Sequence, residues 1–232
     1  MYVRSGLLVL GLTVCFVALA DQPKEKPANF RGWGTLTDPD KDCTVKEDAG
    51  KLTISVPGGT HDLNQAIGGM KAPRILQDVA GDFTAQVKIS GDFAPGDKAA
   101  DPRAVPFNSA GLLIWQDEKN YLRLERNIWW VAQAEKTACY PPLIEYYKEG
   151  QYQDTNPMGT LDEFFQGRST WLKLERRGQK VTASYSHDGK DWTAAKEITV
   201  ELPKKIQIGV AAVNTSTKPF KAEFEDLKLT VK

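Results

Sequence analysis

The chain predicts an all-β protein, an antiparallel two-sheet β-sandwich, and three observations carry that expectation. Short runs with period-two alternation recur along most of its 232 residues, the spacing of strands with one buried and one open face. Gly, Pro, Asn and Asp clusters separate those runs, and no stretch has the apolar spacing of an amphipathic helix. The centre is Asn108 to Trp130, NSAGLLIWQDEKNYLRLERNIWW. Its first run, Ala110 to Trp115, is apolar on both sides of its alternation, as in a strand covered on both faces. Gln116 to Asn120 turns the chain, and Tyr121 to Arg126 returns with Leu122 and Leu124 on one side and Tyr121, Arg123 and Glu125 on the other.

The first 20 residues stand apart. Arg4 supplies a positive start, Gly6 to Val17 is apolar except for Thr13, and Ala18-Leu19-Ala20 offers small residues before a cut. This is the pattern of a cleaved secretory signal peptide, residues 1–20, and predicts a secreted or periplasmic protein. An uncleaved membrane anchor is the alternative, although the run falls short of the roughly 20 apolar residues of a spanning helix. Asp21 to Asn29, DQPKEKPAN, has little to bury and reads as a linker, leaving 30–232 as the folded domain. Residues 1–20 hold one base, Arg4, and no acid, so the remainder carries 29 basic against 30 acidic residues. That balance argues against a nucleic-acid or anionic-membrane partner, which favours a basic stripe.

In chain order, Thr37 to Cys43 places Asp38, Asp40 and Asp42 at alternate positions. Converging carboxylates suit a hard cation such as structural calcium, but the Gly and distant Glu of an EF-hand loop are missing, and an Asx-rich turn explains the same residues. Cys43 and Cys139 remain after removal of Cys15. In an oxidising compartment they read as a disulfide worth roughly 4 kcal/mol, with two free buried thiols as the alternative. Lys51 to Val56 reads as a strand. Pro57 to Pro73, with four glycines and two prolines, is a long irregular connection, in which His61 and Asp62 are read as ordering the loop.

Arg74 to Asp78 and Asp82 to Ser90 are strands, and Gly91 to Phe107 is a loop. Beyond the central hairpin, Ile128 to Gln133 and Leu143 to Tyr147 are strand-like, and Gln151 to Gly167 is a loop. Trp171 to Arg176 repeats Tyr121 to Arg126 position by position: aromatic, Leu, basic, Leu, Glu, Arg. The repeat indicates two strands in similar surroundings, core on the Leu side and water or ligand on the other. Val181 to Ser186, an Asp-Gly turn at Asp188-Gly189, and runs at Glu197 to Leu202, Ile206 to Val213 and Phe220 to Val231 complete the sandwich.

Together, AGLLIWQDEKNYLRLER from Ala110, the Trp171 to Trp192 segment and the ending IGVAAVNTSTKPFKAEFEDLKL resemble the concanavalin A-like lectin/glucanase superfamily. The chain is most similar there to a bacterial secreted family called regulation of enolase protein 1-like, over roughly Phe30 to Lys232. Similar modules follow the catalytic domains of some xylan-degrading glycosidases. The resemblance implies a concanavalin A-like jelly roll. It does not fix the chemistry, since one sandwich hosts many functions. Ser186 to Trp192 lacks one residue of the Asp-box hairpin, and the E-x-D-x-E motif that places the two carboxylates of related glucanases has no copy here.

Three functions follow from these residues. The first is non-catalytic binding of a polysaccharide or glycan, in which aromatic rings stack on sugar faces and charged groups take the hydroxyls. The polar sides of the two repeated strands offer that mix: Tyr121, Arg123 and Glu125 on one, and Trp171, Lys173 and Glu175 on the other. Trp129, Tyr146 and Tyr147 extend it. The same charges equally make cross-strand pairs worth roughly 0.2 to 1 kcal/mol each. The second function is a protein-interaction or envelope-structural domain without a small ligand. The third is a glycoside hydrolase, for which the sequence places no carboxylate pair.

Overall fold

A computed structural model describes residues 27–67, 69–157 and 169–232. The proposed signal peptide, most of the linker, Phe164 and Phe165 lie outside the described residues. Among the described residues the strands run, in chain order, β1 (Asn29–Phe30), β2 (Gly34–Thr37), β3 (Thr44–Asp48), β4 (Lys51–Val56), β5 (Leu63–Asn64) and β6 (Gly69–Met70). Then follow β7 (Arg74–Ala80), β8 (Phe83–Asp92), β9 (Phe107–Asp117), β10 (Asn120–Val131), β11 (Lys136–Lys148) and β12 (Gln151–Pro157). The chain closes with β13 (Thr170–Arg177), β14 (Lys180–Ser186), β15 (Thr193–Thr199), β16 (Lys205–Asn214) and β17 (Phe220–Val231).

Two large antiparallel sheets pack face to face. The first has eight strands in the order β1-β2-β7-β16-β9-β10-β11-β12, the second seven in the order β15-β14-β13-β8-β17-β4-β3. The alternation anticipated in sequence decides what lies between them. Leu52, Ile54, Val87, Ile89, Leu172, Leu174, Ala222 and Phe224 of one sheet meet Leu112, Ile114, Leu122, Leu124, Val210 and Ala212 of the other in one fully buried core. β9 is apolar on both sides because a second apolar cluster covers its outer face. The irregular Pro57 to Pro73 connection crosses that face, carrying β5 and β6 paired as a small ribbon. Its Leu63, Met70 and Ala72 pack on Leu113, Trp115, Tyr121 and Ala211.

The strand boundaries differ from the sequence expectation in several places. β10 runs unbroken through Ile128, because a bulge at Glu125/Asn127 absorbs the change of register against β11. Gln151–Pro157, expected in a loop, is strand β12, which pairs with β11 along one of its edges. The Glu197 to Leu202 run is shifted toward the N-terminus, to Thr193–Thr199, because its pairing partner is Lys180 to Tyr185 of β14.

The expected disulfide is absent: Cys43 and Cys139 are both free. Cys43 leads into β3, at one edge of the seven-stranded sheet, whereas Cys139 lies in β11, beside β12 in the other sheet. β12 lies over β15, the edge of the seven-stranded sheet opposite β3, so the two thiols are at opposite flanks of the sandwich. Cys139 Sγ instead donates to the Asn127 carbonyl at 2.6 Å.

Removal of a core side chain tests this arrangement. Leu124→Ala is expected to lower unfolding free energy by about 2 to 5 kcal/mol in urea denaturation, since Leu124 is wholly buried between the sheets. A loss comparable with that of an exposed substitution would contradict the packing.

Candidate functional site

The outer face of the eight-stranded sheet carries two features that the sequence brings together only through strand register. The first is a row of directly opposed residues across six strands. Asp78 of β7 faces Gln207 of β16, Gln207 faces Trp115 of β9, and Trp115 faces Tyr121 of β10. Tyr121 faces Tyr147 of β11, and Tyr147 faces Tyr152 of β12. With strands about 4.8 Å apart, the row spans about 24 Å. Its rings touch in sequence: Trp115 to Tyr121 at 5.6 Å, Tyr121 to Tyr147 at 4.6 Å and Tyr147 to Tyr152 at 5.5 Å between centroids.

The middle of the row is covered and its ends are open. Tyr121 is buried and its hydroxyl donates to the Leu63 carbonyl of the covering segment, whereas Tyr152 is 47% exposed. At the other end, Asp78, Trp115, Gln116, Lys205 and Gln207 line a depression of about 520 Å³. Gln207 Nε2 donates to Asp78 Oδ1 at 3.0 Å, and the Arg74 guanidinium sits 4.3 Å over the Trp115 ring. The depression therefore joins an aromatic edge to amide, carboxylate and ammonium groups.

The second feature is a buried charge cluster beside the row. Arg123 Nε donates to Glu145 Oε2 at 2.7 Å. Its Nη1 lies 3.4 Å from Asp62 Oδ1 and 3.5 Å from Glu125 Oε2. Arg123, Asp62 and Glu125 have side chains 5%, 1% and 1% exposed. Burial works against the charge on Arg123, but Glu125, Glu145 and Asp62 outweigh it and hold the guanidinium pKa well above its ordinary value. One cation does not neutralise three carboxylates. Burial pushes Glu125 up to about 7 and also raises Asp62, in both cases against the opposing pull of Arg123. Ser109 Oγ donates to Glu125 Oε2 at 2.8 Å, while Oε1 has no partner among the described residues.

Of the residues singled out in sequence, Tyr121, Arg123, Glu125, Trp129 and Tyr147 do share this face. Tyr121, Arg123, Glu125 and Tyr147 are nevertheless buried, where an open polar side was expected, because the segment from His61 to Ala72 lies over them. Trp129 is half-buried and stacks on Phe107 at 4.6 Å. Tyr146 points the other way, into the core between the sheets, and its hydroxyl accepts the Glu201 amide. Trp171, Lys173 and Glu175 do not join the group: β13 belongs to the seven-stranded sheet, so their sides face the opposite surface of the molecule. Lys173 Nζ lies 4.0 Å over the Trp192 ring, Trp171 packs against Gly189, and Glu175 accepts from Thr84 and pairs with Arg177.

The three aspartates before β3 go to three different partners. Asp38 Oδ2 accepts the Cys43 amide at 2.9 Å, Asp40 pairs with Lys71 at 3.0 Å, and Asp42 meets His61 Nε2 with both oxygens, at 3.1 and 3.2 Å. Asp188 closes its turn by accepting the amides of Lys190 and Asp191, an ordering role. Asp62, Ser109, Glu145, Asp78, Gln207 and Tyr152 were not identified as site residues from sequence. A signal existed for Gln207, a lone amide between Ile206 and Ile208, and for Glu145, a lone acid between Ile144 and Tyr146, since period two turns each to the face opposite its apolar neighbours.

A model of the protein family described as "Protein of unknown function (DUF1349)" matches residues 40–232. Among solved structures, a functionally unknown protein from Saccharomyces cerevisiae is similar at TM-score 0.64 and 18% identity, covering 86% of this chain and 97% of that one. A GH43 protein from Bacillus licheniformis is similar at TM-score 0.55 and 16% identity, with 84% of this chain on 36% of its own. The VIP36 exoplasmic/lumenal domain, solved in a Ca2+/Man3GlcNAc-bound form, has TM-score 0.52 and 13% identity, covering 82% of each chain. No curated protein sequence matches this chain. At these identities the likeness is one of fold: a lectin-like β-sandwich of the concanavalin A-like type.

The proton on Glu125 sets a pH dependence. Its carboxyl rises from 4.5 to about 7 on folding, so its contribution is complete below pH 4.5 and is lost as pH climbs through about 7. The loss is on the order of 3 kcal/mol. In Glu125→Gln, urea midpoints between pH 4.5 and 8 are expected to fall much less than in the unsubstituted protein. Identical profiles for the two would show that Glu125 does not hold the proton.

Proposed function

Because the chain belongs to the family described as "Protein of unknown function (DUF1349)", a description that assigns no activity, we propose its role from its own surface: it binds a polysaccharide or glycan on the outer face of the eight-stranded sheet. The row from Asp78 to Tyr152 carries this reading. Sugar rings present apolar C–H faces and a rim of hydroxyls, so a binding surface needs flat rings beside amide and charged groups. The open depression offers the edge of Trp115 with Gln116, Gln207, Asp78 and Lys205, and Tyr152 offers a ring at the far end. The names of the similar structures lend support: one is a xylan beta-1,4-xylosidase from Bacillus halodurans, TM-score 0.51, and another is the Man3GlcNAc-bound domain described above.

The binding is non-catalytic in this proposal. Asp62 and Glu125 both lie against one guanidinium nitrogen with side chains 1% exposed, so this pair of carboxylates is not open to a glycosidic bond. The protein works outside the cytoplasm, as Arg4 and the apolar run to Ala20 support. The secreted form is expected to begin at Asp21 on N-terminal sequencing; recovery of an intact Met1 terminus would contradict that.

A glycan array probed with the purified protein tests the reading. Binding to at least one plant, algal or bacterial glycan is expected, reduced tenfold or more by Gln207→Ala and Asp78→Ala and unchanged by Lys173→Ala on the opposite surface. Silence across the array would favour a protein-interaction role, and release of reducing ends would favour an enzyme; either would overturn the proposal.

A further inference from the structure

The approach to β3 and the start of the covering segment meet at a cluster that the saccharide-binding face does not use. His61, Asp42 and Cys43 each offer a ligand atom, and these atoms all lie within 4.8 Å of one another. Nε2 and Oδ1 are 3.1 Å apart, and Sγ and Oδ1 3.5 Å. Tetrahedral zinc, with bonds of about 2.0 to 2.3 Å, holds its ligand atoms about 3.3 to 3.8 Å apart, so the donors already stand close to coordination spacing. We propose that His61, Asp42 and Cys43 bind a divalent transition-metal cation of the zinc class.

The surroundings fit that cation better than the calcium suggested by the aspartate spacing. Imidazole and thiol are borderline-soft donors that select zinc-like metals, whereas calcium takes six to eight oxygens. Asp38 and Asp40 flank the cluster with two further carboxylates, against which the described contacts set one base, Lys71. The imidazole is placed before any metal arrives. His61 is 2% exposed, and its amide and carbonyl bond to Asn214 at the end of β16. Its ring fills the space beside Gly59, where a Cβ would come within 2.8 Å of Cε1. The Asp38 carboxylate accepts the Cys43 amide and holds the Cys43 backbone in place. The fourth position is left to solvent.

Binding releases the Cys43 thiol proton to solvent as the Sγ–metal bond forms, with no change of oxidation state. Because the ligands come from residues 42–43 and from residue 61, the cation ties the approach to β3 to the covering segment next to Asp62. It thereby stabilises the cover over the charge cluster.

Chelator-treated protein titrated with Co2+ tests the site. Saturation at one equivalent with a thiolate-to-cobalt charge-transfer band is expected, competed by Zn2+, together with a higher melting temperature. Cys43→Ala should lose the band and Cys139→Ala keep it. His61 is buried and its removal risks the fold, so Asp42→Asn, at a side chain 45% exposed, serves as the second variant and should weaken cobalt affinity at least tenfold. No saturable cobalt binding, a band that survives Cys43→Ala, or binding of Ca2+ in place of both Co2+ and Zn2+ would overturn the assignment. None of these readouts involves a saccharide, so the outcome is independent of the glycan array.

Discussion

The outer face of the eight-stranded sheet depends on Arg123. Its guanidinium reaches Asp62 of the covering segment, Glu125 of its own strand and Glu145 of the next, and so ties a long irregular connection to two neighbouring strands. Removing one partner from such a buried group costs about 3 to 5 kcal/mol, because the remaining charges are left uncompensated out of water. Arg74 does the same at the other end of the cover, donating to the Met70 and Ala72 carbonyls, and Tyr121 holds Leu63 between them. The cover is thus fixed near its start, at Asp62 and Leu63, and at its end, at Met70 and Ala72, by groups from the sheet beneath.

This clamping explains why the face is divided into a closed centre and open ends. Gly111, Gly209 and Ala211 place almost no side chain in the middle of the outer face of β9 and β16, and the apolar side chains of the cover fill that space on Ala211, Leu113 and Trp115. Gly111 has a further reason: a Cβ there would overlap the Leu124 backbone carbonyl. What the cover leaves open lies near the ends of β7 and β16, at Asp78 and Gln207 beside the buried Trp115, and at Tyr152 on β12. A closed, highly charged centre with polar and aromatic margins is a rigid support for binding at its rim.

Much of the fold was legible because period-two alternation is a local property. It assigned Leu122 and Leu124 to the core and Tyr121, Arg123 and Glu125 to the far face, and both assignments hold in the structure. Which strands share a sheet is not local. The likeness of Trp171–Arg176 to Tyr121–Arg126 reflects two strands that each bury two leucines, yet they do so from opposite sheets, so their polar sides diverge. The covering of Arg123 was hidden for a related reason: Leu63, Met70 and Ala72 are scattered among glycines without a period, and only the folded chain sets them on one surface. Cys43 and Cys139 were paired on count and compartment, and neither carries information about which flank of a sandwich it occupies.

The central claim is that saccharide recognition belongs to the outer face of the eight-stranded sheet. It is tested most directly by following the tryptophan indole resonances by NMR during titration with a glycan that the protein binds. The account predicts a saturable shift of the Trp115 indole in the depression beside Gln207, with Trp171 and Trp192 on the opposite surface unmoved. Shifts of Trp171 and Trp192 with Trp115 unmoved would contradict it.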